Sequence, residues 1–263
     1  MSSTQNSGSK GTALVTGAAQ GIGRAIALRL AADGFDVAIN DIASKAAQLD
    51  GVKDEIIAAG RRSAVFGGDV SVDADVKAMV AGVVEALGGL DVMVANAGIC
   101  RARASLLDIS PEEWDRTFDI NVRGVFLCYQ HAARQMILQG RGGRIIGATS
   151  GAGKQGLAML PDYASSKFAV RGLTQAAACE FGKHGITVNA YAPGAVATQM
   201  TEQFAPLASM SQKDFFAMQA TMAATGVNPT PENIASIVSY LASKEASFIT
   251  GQSISVDGGR YFD

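Results

Sequence analysis

The chain has 263 residues, a formal net charge of -2, 48% apolar and 17% charged residues; this is enough apolar material for a substantial core and far from the composition of a disordered chain. The slightly acidic balance argues against general nucleic-acid binding, which calls for a strongly basic face, and against acidic membranes. The opening MSSTQNSGSK has no apolar signal core, no later run is long enough to span a bilayer, and the odd, scattered Cys100, Cys128 and Cys179 fit free thiols without metal spacing, so a cytoplasmic protein is expected.

After a flexible polar tail over residues 1–10, short runs rich in Val, Ile and Ala alternate with longer helical stretches, the rhythm of successive βαβ units on a parallel sheet. Seven strands are expected, near residues 13–16, 36–40, 64–66, 92–95, 144–148, 186–191 and 253–256. They read as continuous apolar runs, as strands buried on both faces do. No repeat or linker divides the chain. Residues 11–263 are therefore expected to form a single doubly wound Rossmann-type α/β domain with helices on both faces. Polar and Met/Phe-rich residues interrupt the rhythm at about 200–227, where a substrate lid at the carboxyl edge of the sheet is expected.

The first strand runs into Thr16-Gly17-Ala18-Ala19-Gln20-Gly21-Ile22-Gly23, a glycine-rich turn that opens a helix. Gly17 allows the sharp turn, Gly21 lets the backbone approach a pyrophosphate, and Gly23 lets the helix pack closely. The helix N-terminus adds unpaired N–H groups for the phosphates, with Gln20 and Ile22 flanking them. Asp41 follows Gly23 by 18 residues and closes the second strand, where a carboxylate accepts hydrogen bonds from an adenosine ribose and repels a 2′-phosphate; this points to NAD(H) over NADP(H). Arg24 is placed either on solvent or near phosphate. Asp69 and Val70, after the third strand, are placed at the adenine, with helix capping the plain alternative for Asp69.

Tyr163 and Lys167 stand four apart in a helical stretch over 163–181, so both project from one face. A phenol titrates near pH ~10, too high for easy proton exchange, and an adjacent ammonium is expected to lower it. Ser150, at the end of the fifth strand, offers a hydroxyl to a substrate oxygen; its plain reading is a turn serine.

With these motifs in place, the chain resembles the short-chain dehydrogenase/reductase family along nearly its whole length. The resemblance rests on the glycine turn at 16–23, Asp41, Asn96-Ala97-Gly98 after the fourth strand, Asn121 within Ile120-Asn121-Val122, Ser150, Tyr163, Lys167, and Pro193-Gly194 with Val196 and Thr198 after the sixth strand. It implies that Ser150 polarises a carbonyl, Tyr163 gives it a proton, Lys167 lowers the tyrosine pKa and holds the ribose, Asn121 supports a proton-carrying water chain, and Thr198 meets the nicotinamide carboxamide. It also implies a homotetramer built on two long helices, near 111–139 and 163–181. Two departures from the family pattern are Ala95, where two consecutive asparagines are common before Ala-Gly, and Thr225-Gly226-Val227-Asn228-Pro229-Thr230 in place of an arginine-glycine turn.

Within the family, Gly34-Phe35-Asp36-Val37-Ala38-Ile39 and the run Ser165 to Thr174 look most like acetoin or diacetyl reductases and butanediol dehydrogenases. The expected substrate is a small uncharged ketone or secondary alcohol. Candidate pocket residues are Ala152, Leu157, Met159, Leu160, Met200 and Phe204, beside Ser150 and Tyr163; each is otherwise ordinary core. The stretches 151–162 and the lid carry no cationic cluster, although Arg101 and Arg103 leave an acidic substrate open. A 3-oxoacyl thioester reductase and a sugar or polyol dehydrogenase are the rival enzymes, and a catalytically silent nucleotide sensor or scaffold is the rival of another class. His131 and His184 receive no role.

Overall fold

In a computed structural model of the chain, which describes residues 8–262, the alternating pattern resolves into seven parallel strands. These are β1 (Thr12–Thr16), β2 (Asp36–Asp41), β3 (Ser63–Gly67), β4 (Val92–Ala95), β5 (Gly143–Ala148), β6 (Ile186–Pro193) and β7 (Ser253–Val256), in the order β3-β2-β1-β4-β5-β6-β7. The expected tail over 1–10 falls mostly outside the described residues; residues 8–10 are exposed, and Lys10 N donates to Gly34 O at 3.0 Å.

Side chains alternate across the sheet, and each face is covered. Val15, Val37, Ile39, Val94 and Ile146 meet α1 (Gly21–Ala32), α2 (Ala46–Ala58) and α9 (Pro231–Ala242) through Ile26, Leu30, Val52, Ile56, Val238 and Leu241. Leu14, Met93, Ile145 and Val188 meet α3 (Asp73–Leu87), α5 (Gly124–Gln139) and α6 (Pro161–Phe181) through Met79, Val83, Leu127, Met136 and Val170. The doubly wound α/β architecture is the expected one. Several strands run beyond their apolar runs because backbone pairing continues, as in Asp41 with Gly67 and Pro193 with Val256.

The long helix expected over 111–139 is divided. Ser110 opens α4 (Pro111–Phe118) with a capping box, its Oγ accepting from Glu113 N and Glu113 Oε2 accepting from Ser110 N. A π-type turn, Asp119–Arg123, separates it from α5. Such wide turns cluster at functional sites, and this one carries Asn121. The lid range begins in a 3-10 turn, Gln199–Thr201, and contains α7 (Phe204–Leu207) and α8 (Gln212–Thr221). Strand order reverses between β1 and β4, so the carboxyl ends of these strands open a crevice at the switch point.

Candidate active site

A cleft of about 980 Å³ occupies that crevice. Its first wall is the β1–α1 turn. Gly17 and Gly21 adopt φ of +63° and +57°, conformations that side chains resist. A Cβ on Gly23 would lie 2.1 Å from Gly17 O and 2.6 Å from Asn96 Nδ2, so only hydrogen fits there. Asn96 Nδ2 donates to Thr16 O (2.9 Å) and Gly17 O (3.1 Å), its Oδ1 accepts from Tyr191 OH (2.7 Å), and Thr16 Oγ1 accepts from the amides of Asn96 and Ala97. The end of β4 thus braces the turn. Gln20 makes no side-chain cap on α1, and the first turn of the helix has no acidic residue, so its N-terminal N–H groups suit a phosphate. Glycines held where side chains do not fit, around a helix N-terminus, match the shape a dinucleotide needs.

Asp41 closes the turn from β2: Oδ2 accepts from Ala19 N at 3.1 Å and Oδ1 from Ile42 N at 2.9 Å. Each oxygen keeps a further lone pair for a ribose hydroxyl. Arg24 turns away to Glu55 on α2, at 2.5 Å, which answers the choice between solvent and phosphate. Asp69 is not the cap of α3, whose capping residue is Val72. Its Oδ1 accepts from Ser71 N and Oγ, its Oδ2 from Arg116 Nη2 at 3.2 Å, and these bonds hold the carboxyl below its ordinary value although burial opposes them.

The opposite wall is the end of β5 and the start of α6. Tyr163 and Lys167 stand one turn apart on α6 and line the cleft with Ser150. Ser150 faces Tyr163 across the cleft and counts among the groups that lower its phenol. Lys167 Nζ lies 5.4 Å from the Tyr163 ring centroid and donates to Ala148 O at 2.9 Å. Burial pushes the Tyr163 phenol well above its ordinary value, and Ser150 only partly offsets it. Burial also lowers Lys167 to about 8. Desolvation of the phenolate is the largest influence on Tyr163 in this cleft, and it raises the phenol.

Asn121 is fully buried. Its Oδ1 accepts from Ile99 N and its Nδ2 donates to Ile99 O, both at 2.8 Å, and Nδ2 also reaches Ser166 Oγ at 3.1 Å. Ser166 Oγ donates in turn to Tyr163 O at 2.7 Å. Asn121 thereby ties the loop after β4 to the catalytic helix. Ser166 is a site residue that sequence reasoning missed, and no motif marked it.

All the residues expected at the cofactor line the cleft: Gly17, Gln20, Gly21, Ile22, Gly23, Asp41, Asp69, Val70, Asn96, Ala97, Gly98, Pro193, Gly194, Val196 and Thr198, with Tyr163 and Lys167. Of the expected pocket residues, only Met200 joins Ser150 and Tyr163 there. Ala152 is buried under the loop, its N donating to Ser150 Oγ at 3.1 Å. Leu157 lines a separate shallow hollow against Pro161 and Phe168. Met159 and Leu160 lie at the entry to α6, and Phe204 stacks on Phe215 with ring centroids 6.2 Å apart. None of these five is among the residues that line the cleft. Arg101 and Arg103 both pair with Glu113 and do not line the cleft. Lining residues not anticipated include Lys45, Arg116, Gln199 and Phe216.

A family model described as enoyl-(acyl carrier protein) reductase matches residues 17–260. Among curated relatives, a short-chain dehydrogenase/reductase of Armillaria gallica is 54% identical over 95% of this chain and 96% of its own length. An L-2,3-butanediol dehydrogenase of Corynebacterium glutamicum is 42% identical, and a 3-oxoacyl-[acyl-carrier-protein] reductase of Staphylococcus aureus 43%, each across 95% of this chain and 98% of its own. Among solved structures, the carveol dehydrogenase of Mycobacterium avium in complex with NAD superposes with a TM-score of 0.90 at 32% identity, over 96% of this chain and 98% of that one.

Proposed function

The chain belongs to the short-chain dehydrogenase/reductase family, and on that premise we propose that it moves a hydride between NAD(H) and a small uncharged ketone or secondary alcohol such as diacetyl, acetoin or 2,3-butanediol. It is an oxidoreductase of the alcohol/ketone pair. The observation that carries the reading is the meeting, in one cleft, of the glycine turn and Asp41 with Ser150, Tyr163 and Lys167.

A nicotinamide cofactor held by the glycine turn, Asp41, Lys167 and Thr198 would supply the hydride for the carbonyl carbon, or accept it from the alcohol. Ser150 Oγ donates a hydrogen bond to the carbonyl oxygen, where negative charge develops. Tyr163, kept protonated by burial, gives its proton to the same oxygen. Lys167 offsets the charge left on the phenolate, and Asn121 supports return of a proton from solvent. In oxidation every movement reverses. Asp41 at the end of β2 and the diversion of Arg24 to Glu55 favour NAD over NADP, as does the NAD-bound relative. The pairing of Arg101 and Arg103 with Glu113 favours an uncharged substrate. The 43% identity to a 3-oxoacyl reductase supports that thioester as the second reading.

Initial rates with diacetyl, acetoin, a 3-oxoacyl thioester and a ketose, each with NADH and then NADPH, test this. Small ketones are expected to lead, with kcat/KM at least about tenfold higher for NADH. Absent turnover of the small ketones overturns the substrate; equal rates with NADPH overturn the cofactor; tight NADH binding with no reduction of any carbonyl leaves a nucleotide sensor. We also assign the enzyme to the cytoplasm, in keeping with its three unpaired cysteines, and to a homotetramer through α5 and α6, whose Phe126 and Phe168 are exposed. Mass measurement in solution decides the assembly.

A further inference from the structure

Gln203, two residues past the turn that carries Met200, has an unusual set of partners. Its Oε1 accepts from Ala102 N at 3.1 Å, and its Nε2 donates to Cys100 O and to Met200 O, both at 2.8 Å. The amide behaves like a piece of strand, pairing with both an N–H and a C=O of the loop after β4. The neighbouring amide of that loop, Arg103 N, donates to Met159 O at 2.9 Å, four residues before Tyr163. Cys100, at the other end, is a buried thiol near Lys167. One short loop is thus held by the lid on one side and by the approach to the catalytic helix on the other.

We propose that Gln203 is a positioning residue that clasps the lid to the loop 100–103 and so fixes the substrate-side wall of the cleft, with Met200 in it. Gln203 touches no reacting group, and the turn with Met200 is the only cleft-lining segment whose carbonyl it holds among the described residues. Its removal therefore loosens the wall around the carbonyl and leaves the glycine turn, Asp41, Ser150 and Tyr163 in place. The inference rests on the cleft being that of a carbonyl reductase, but its structural half stands apart from any substrate.

The test uses the full-length enzyme with Gln203→Ala and Gln203→Glu. Amide hydrogen exchange on Gln203→Ala is expected to accelerate at Ala102, whose acceptor is lost, and to stay unchanged at the amides of Asn96 and Ala97, which bond to Thr16 Oγ1. With the best ketone, KM is expected to rise about tenfold while kcat changes less than about threefold and NADH affinity stays within about twofold, the pattern of lost substrate binding. Gln203→Glu keeps the acceptor for Ala102 N but, when ionised, sets a negative oxygen against two carbonyls. Its KM is expected to resemble that of Gln203→Ala near pH 7 and to fall toward the parent value only as the pH drops below about 4.5, where the carboxyl gains a proton it can donate. Unchanged exchange at Ala102 in Gln203→Ala overturns the clasp. An unchanged KM, or a KM of Gln203→Glu that ignores pH, overturns its role at the substrate wall. A parent enzyme that reduces no ketone overturns the proposed reaction instead, and exchange at Ala102 still decides the clasp.

Discussion

At the cofactor end of the cleft, position is held by backbone and by short buried side chains: Thr16, Gly17, Asn96 and Tyr191 form one hydrogen-bonded network at the carboxyl ends of β1, β4 and β6. At the substrate end the wall is loop. Met200 is 38% exposed, the lid rests on Gln203, and two residues of the flanking loops, Met159 and Ser209, take positive φ without being glycine. A site shared by every substrate of one cofactor can be built into the sheet; a site that differs from one substrate to another is carried on segments whose sequence can change without disturbing it.

The largest effect expected from this division is on chemistry alone. Tyr163→Phe removes the proton donor from the substrate side and leaves the glycine turn intact, so kcat falls about 10³-fold while NADH affinity holds within about twofold. Stopped-flow reduction and NADH titration read the two separately. Retained turnover, or a parallel loss of NADH affinity, breaks the comparison.

Gly23→Ala attacks the other end. The added methyl would meet a backbone oxygen at 2.1 Å, which yields only if the turn moves, so NADH affinity should fall at least tenfold and stability by about 1–3 kcal/mol, the usual range for overpacking. Urea unfolding and fluorescence titration check it. An unchanged midpoint would mean that the turn is softer than its bonds imply.

A smaller effect sharpens the picture of the reacting groups. Burial lowers Lys167 to about 8, so its charge is present below that pH and lost above it. The charge favours the phenolate that forms when Tyr163 gives up its proton. Ketone reduction should therefore have a flat kcat below about pH 8 and decline above it, approaching tenfold per unit for one lost proton. Lys167→Arg keeps its charge, and whatever activity it retains should lack that alkaline limb.

What could be read in advance follows the same line. Gly17, Gly21, Gly23, Asp41 and Asn96 are legible because each answers a local backbone demand at a strand end, and Tyr163 with Lys167 because spacing on one helix puts them side by side. The pocket residues outside the cleft lining are not legible: whether Phe204 faces a ketone or stacks on Phe215 is decided by α8, whose Phe215 lies eleven residues on in the chain. The wide turn at 119–123 is hidden for a related reason, since helical periodicity continues through it while its Asn121 bonds to Ile99 and Ser166 from other elements. The lysine beside the tyrosine is legible from spacing, but the burial that raises the phenol is a property of the packed cleft.

The smallest effect concerns strain on the substrate side. Met159 holds φ at 69° while its carbonyl accepts from Arg103 N. A side chain in that region costs about 1–2 kcal/mol, whereas glycine there costs mainly chain entropy, about 0.5–1 kcal/mol. Met159→Gly should therefore leave stability unchanged or raise it by up to about 1 kcal/mol, with NADH affinity unaltered, because nothing at the cofactor end depends on this turn. Ketone KM should move by less than about threefold, since the side chain does not line the cleft and the carbonyl that holds the loop is kept. A thermal melt and one Michaelis curve suffice. A large rise in KM would return Met159 to the substrate wall, and a clear loss of stability would show its thioether packed by neighbours that outweigh the strain.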